Sequence, residues 1–86
     1  MKSYKVKDIP QELIEASELI AKEKLKKAEP ILRKYLKKNP VDINAMKLLA
    51  DIGVKFRAYK DAGYLLTRAL DLAPDYDQAR LSYANL

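Results

Sequence analysis

Apolar residues return along this chain at intervals of three and four. Leu13, Ala16, Leu19 and Ile20 form one stripe, and Met46, Leu49, Ala50, Gly53 and Val54 a second. Ala62, Leu65, Leu66, Ala69 and Leu70 form a third. This is the period of helices with one buried face. No segment alternates β-branched and polar residues, and Gly53 and Gly63 are the only glycines, so strands find little support. Polar and proline signals divide the stripes. Asp8 with Gln11 three residues on reads as a capping box. Asn39-Pro40 stops a helix, because the residue before proline is pushed out of the α region. Asp42 is placed to cap the next helix, Ala73-Pro74 repeats the stop, and Asp75 is a cap candidate for the last. Between Lys22 and Leu25, and at Arg57-Ala58, the period breaks without glycine or proline, which predicts tight turns between antiparallel helices. Pro30 then falls in or just past a first turn and costs about one hydrogen bond. The pattern predicts helices at 9–22, 26–38, 43–56, 60–72 and 76–86, behind a frayed segment 1–8.

Shifted by thirty-four residues, the sequence superposes on itself. Pro40 falls on Pro74, Ala28 on Ala62, Leu32 on Leu66, Leu36 on Leu70 and Leu25 on Tyr59, while Ala16, Ala50 and Ala84 make one series. A helix–turn–helix period of that length marks the tetratricopeptide repeat. Residues 43–76 resemble that family in one register: Met46, Leu49 and Ala50 on the first helix, Tyr59, Ala62, Leu66 and Ala69 on the second, and the terminal Pro74. The resemblance implies an all-α, right-handed superhelix of antiparallel hairpins with five helices. Residues 9–42 would be repeat 1, 43–76 repeat 2 and 77–86 the start of repeat 3. Ala50, Tyr59, Ala62, Leu66, Ala69 and Pro74 would be its packing residues, with the alanines small so that helices approach closely.

Two positions depart from the pattern. Gly53 stands where the family has an aromatic, which predicts a shallow spot or a more flexible helix. Glu15 stands where a leucine belongs, and a turn one residue shorter would instead bury Ala16, Ser17 and Ile20; the sequence leaves both registers open. The third unit stops at Leu86, so the reading expects a piece of a larger protein. A narrower resemblance lies in Leu72-Ala73-Pro74-Asp75-Tyr76, followed by Ala79-Arg80 and Tyr83-Ala84. This looks like the repeats ahead of a sulfotransferase domain in some bacterial proteins.

Composition narrows the function classes. Eighty-six residues make one small domain of modest stability. With no cysteine and no histidine, the chain lacks disulfides, thiolate metal sites and the commonest general base. Its scattered carboxylates read as caps and surface charge, so no catalytic, cofactor-binding or metal-binding residue is assigned and no enzyme is expected. No segment nears the ~20 apolar residues of a membrane span, and no apolar run follows the basic start, so a cytoplasmic protein without a membrane partner is expected.

The charge is lopsided. Residues 1–40 hold eleven Lys/Arg against six Asp/Glu, and residues 41–86 six against six. The excess centres on Lys22, Lys24, Lys26, Lys27, Arg33, Lys34, Lys37 and Lys38. Lysine outnumbers arginine thirteen to four, and Tyr35 is the one aromatic among these cations. Bidentate phosphate reading and base stacking are therefore poorly served, and a basic nucleic-acid-binding domain is the lesser alternative.

The repeat resemblance implies a different site, the concave face formed by the first helix of each hairpin. Leu13, Ser17 and Ile20 would line it, with Asn44, Lys47, Asp51, Val54 and Lys55, then Gln78, Leu81 and Asn85. Amides, lysines and apolar groups suit an extended peptide of a protein partner. In the family's carboxylate clamps lysines and asparagines hold a C-terminus; here Lys47 fits such a role but Asp51 opposes it. The C-terminal helix, with Leu81, Tyr83 and Leu86, offers a face for self-association. A protein-interaction scaffold is the function expected.

Overall fold

The computed structural model describes residues 9–86, which form five helices and, among the described residues, no strand. They are α1 (Gln11–Ala21), α2 (Leu25–Lys38), α3 (Ile43–Lys55), α4 (Tyr59–Leu72) and α5 (Asp77–Ala84). The Asp8 cap lies outside the described residues. Helix α1 starts later than the capping box suggested, with Pro10 at its N-cap. The Pro10 carbonyl accepts from Leu13 N at 3.0 Å and Ile14 N at 3.2 Å. Proline keeps the preceding Ile9 out of the α region, so the helix cannot begin at residue 9.

Backbone geometry recurs every thirty-four residues. Helices α2 and α4 begin at 25 and 59, α3 and α5 at 43 and 77, and α1 and α3 end at 21 and 55. The turns repeat atom for atom. Lys24 N donates to Leu19 O and Glu23 N to Ile20 O; Ala58 N donates to Gly53 O and Arg57 N to Val54 O. This paired bonding satisfies orphan carbonyls at a helix end and needs one left-handed residue. Glu23 at φ 61° and Arg57 at φ 63° supply it in place of glycine. Because the two turns have equal length, the shorter-turn register is excluded. Glu15 faces solvent, Ser17 is exposed, Ile20 is half-buried and Ala16 is fully buried.

Caps differ between equivalent positions. Asp42 accepts from Asn44 N at 3.0 Å and from Ala45 N at 3.1 Å, capping α3. Asp75 does not cap α5; Tyr76 occupies the N-cap, thirty-four residues after Asp42, and offers no side-chain cap. Pro30 is the sixth residue of α2, which runs on to Lys38. The carbonyl of Lys26, four residues back, loses its helical donor on an exposed surface that water reaches.

Two cores hold the helices together. Leu13, Ala16, Ala28, Leu32, Tyr35, Ala45, Leu49 and Ile52 join α1, α2 and α3. Met46, Ala50, Ala62, Leu66, Ala69 and Ala79 join α3, α4 and α5. Helix α5 meets α4 through Ala79, Tyr83 and Leu86, the counterparts of Ala45, Leu49 and Ile52. A Cβ added to Gly63 of α4 would stand 3.5 Å from Leu86 Cδ1 and 3.9 Å from Tyr83 Cε1. Those two side chains remain about half exposed, and Leu81, turned away from α4, is 66% exposed. No helix among the described residues is long and apolar enough to cross a membrane.

Candidate functional site: a groove across three helices

The first helices of the successive units, α1, α3 and α5, bring most of the sequence-derived face together in two depressions. The larger, about 370 Å³, is lined by Leu13, Ser17, Asn44, Lys47 and Gln78 together with Ile9, Ile14, Glu18, Leu48 and Tyr76. The smaller, about 300 Å³, is lined by Ile20, Asp51, Val54, Lys55 and Asn85 with Ser82 and Leu86. Leu81 lines neither.

Lys47 and Asp51 stand where the two depressions adjoin. One helical turn apart on α3, they form an ion pair of 2.8 Å with both side chains mostly shielded. Asp51 therefore neutralises Lys47 within the protein. Lys55 is paired too, with Glu23 at 3.2 Å across the hairpins. Neither lysine of the face presents an uncompensated charge, which disfavours a carboxylate clamp.

Tyr76 organises the larger depression. Its hydroxyl donates to Asn44 Oδ1 at 2.9 Å, spanning from the cap of α5 to the first turn of α3. Burial raises its pKa first, with Asp51 and Asp42 adding repulsion, so the phenol is held in its donating form. The Asn44 oxygen is thereby occupied, leaving its amide nitrogen to donate. Ile9, Leu13, Ile14 and Leu48 give the same depression its apolar lining, and Ser17, Glu18, Lys47 and Gln78 are its further polar members. Such a mixture, apolar surface with a few convergent polar groups, is what ligand-sized sites require.

Sequence reasoning missed Tyr76 because it sits at a cap, outside the helical stripes, and reaches a partner thirty-two residues away. Ile14 and Leu48 do lie in the three–four period, one position off the chosen stripe.

The packing residues divide. Ala50, Ala62, Leu66 and Ala69 are fully buried. Pro74 is exposed, and its carbonyl accepts from Arg80. Tyr59 is 49% exposed, contrary to the packing role assigned to it. Its counterpart Leu25 shares a corner with Phe56 of the next hairpin. Among the described residues no further hairpin exists to do the same for Tyr59. A small hollow, about 90 Å³, lies beside Gly53, lined by Glu29 and Arg33 of α2 as well as by α3 and α4.

No family model, curated protein or solved structure matches this chain.

Proposed function

We propose that the chain is a protein-interaction scaffold of the tetratricopeptide type. Its α1–α3–α5 face takes an extended segment of a partner, seating an apolar side chain in the depression between Ile14 and Leu48. The observation that carries this reading is the Asn44 amide, fixed by Tyr76 in a depression that Ile9, Leu13, Ile14 and Leu48 also line. An extended peptide has both halves of the complement: a side chain for the apolar lining and a backbone carbonyl for the amide. The thirty-four-residue recurrence of turns and helix starts supports the repeat type, since stacked hairpins present such a face continuously.

The test is selection of binders from a random peptide library, followed by titration against variants. Ile14→Glu places a charge in the apolar lining, and Asn44→Ala removes the donor. Loss of about 1.5–3 kcal/mol of binding on filling or charging an apolar anchor site is expected for Ile14→Glu. Asn44→Ala should cost about 0.5–1.5 kcal/mol. Peptides that bind all three proteins equally would show that the groove is not the binding surface.

A further inference from the structure

One cluster of positive charge lies where the turns of the two hairpins meet. Two windows related by thirty-four residues, 21–27 and 55–61, contain the turns of the two hairpins. Together they hold Lys22, Lys24, Lys26, Lys27, Lys55, Arg57 and Lys60, seven cations, against Glu23 and Asp61. The turns lie side by side, as the Lys55–Glu23 pair across them shows. That pair also consumes one of the two carboxylates. Lys24, Lys26 and Lys27 form no ion pair among the described residues. Nor do these lysines serve the fold: they flank the start of α2, where the helix dipole disfavours cations.

An aromatic side chain joins them. Phe56, at the C-cap of α3, is 43% exposed. With Leu25, Lys24, Lys26 and Lys27, and with Glu23, whose carboxylate is held by Lys55, it lines a depression of about 410 Å³. No periodic pattern points to this meeting, because Phe56 is some thirty residues from the lysines and comes from the other hairpin. A solvated charged face does not need an open apolar hollow at its centre. Cations around an apolar hollow are complementary to an apolar side chain flanked by carboxylates.

We infer that this edge is a second docking surface, for an acidic protein segment that carries one large apolar anchor. The anchor enters between Leu25 and Phe56, and neighbouring aspartates or glutamates meet Lys24, Lys26 and Lys27. A single-stranded nucleic acid fits less well. It would want successive aromatic platforms and arginine planes, whereas Phe56 is the one ring of this depression and Arg57 the one arginine of the two windows. This surface is separate from the groove: Leu25, Phe56, Lys24, Lys26 and Lys27 line neither of its depressions, although Lys55 of the same edge lines the smaller one.

Fluorescence anisotropy with three labelled probes tests the assignment. They are a short peptide of aspartates and glutamates around a central leucine, the same peptide with glycine at the centre, and an oligouridylate of equal charge. Each is titrated at low and at physiological salt. The leucine peptide should bind tightest, and combined Lys24→Gln, Lys26→Gln and Lys27→Gln should weaken it about tenfold or more. Phe56→Ala should weaken the leucine peptide and leave the glycine peptide unchanged, with circular dichroism confirming the helical fold of each variant. Absence of binding by either peptide at low salt overturns the inference, as does binding indifferent to both sets of substitutions. Tighter binding of the oligouridylate, lost in the lysine variant, overturns it in favour of nucleic acid. A groove variant such as Ile14→Glu should leave leucine-peptide binding intact; loss there would place the peptide in the groove and overturn the separate surface.

Discussion

In the first hairpin Leu19 occupies the position that Gly53 holds in the second, and Tyr35 the position of Ala69. The backbones at these positions are equivalent, down to the bonds that close each turn. Their side chains fill the space by opposite means. The first core combines Leu13, Leu32, Tyr35, Leu49 and Ile52 with three alanines; the second has four alanines, Met46 and Leu66. One is built from interdigitating large side chains, the other from close approach of helix backbones. A common backbone thus sets where helices start and turn, while residue size sets how each pair responds to change.

The most disruptive way to probe that difference is to remove the equivalent leucines, Leu32 and Leu66, both fully buried. Each truncation to alanine should cost about 2–5 kcal/mol, and the loss depends on how far neighbours collapse into the void. Leucine and isoleucine side chains around Leu32 can shift toward it. Of the fully buried residues around Leu66, Met46 alone is long enough to follow, and the alanines cannot reach. Leu66→Ala should therefore be the costlier change, measured by urea unfolding of both variants. The reverse order would mean that the alanine-rich core closes by moving whole helices.

A smaller effect separates the hairpins by pH. Tyr35, 8% exposed, donates to Asp42 Oδ2 at 2.8 Å. Burial, then this hydrogen bond, then repulsion from Asp42 and Glu12 push its pKa up from 10.0 to about 12. The folded state therefore favours the neutral phenol. The stabilisation is complete below the unfolded value of 10.0 and is lost as pH climbs through about 12. Ala69 gives the second hairpin nothing comparable. Tyr35→Phe should cost roughly 1.5 kcal/mol near neutrality, the low end for a hydrogen bond to a charged group. It should also flatten the fall in thermal midpoint across that alkaline range, leaving a residual slope from Tyr76, whose pKa is raised in the same direction. A variant whose alkaline profile overlays wild type would show that Tyr35 ionises without penalty.

The sequence carried its helices openly because their signals are local. A three–four period, the stops at Asn39-Pro40 and Ala73-Pro74, and the Asp42 cap each act within one or two turns. At the start of α1 the steric rule before proline sets the boundary, with Pro10 at the N-cap. The register of the first unit was hidden because Glu15 offered no leucine to align, and the equal turn lengths resolve it. Most residues of the groove were legible as a face of α1, α3 and α5, since equal spacing places them in line. Tyr76 and Phe56 were not. Both sit at helix caps and act on residues some thirty positions away, where no periodic pattern points.

The mildest test addresses the hollow at Gly53. A glycine inside a helix is less favourable than alanine by about 0.5–1 kcal/mol, because the unfolded chain has more conformations to lose. Alanine recovers that only if its Cβ has room. The added atom would stand 3.4 Å from Ala62 Cβ, 3.5 Å from Ala58 O and 3.7 Å from Ala62 Cα, at the near edge of ordinary van der Waals contact. It would enter the hollow of about 90 Å³ without displacing a neighbour. Gly53→Ala should thus stabilise by about 0.5–1 kcal/mol, which raises the thermal midpoint by several degrees in a domain of this size. A larger residue meets the opposite outcome. Gly53→Leu, copying Leu19 of the first hairpin, would press on the fully buried Ala62, and overpacking costs about 1–3 kcal/mol. A Gly53→Leu variant as stable as wild type would show that the second hairpin can open to the spacing of the first, and that its close approach is a preference of the side chains alone.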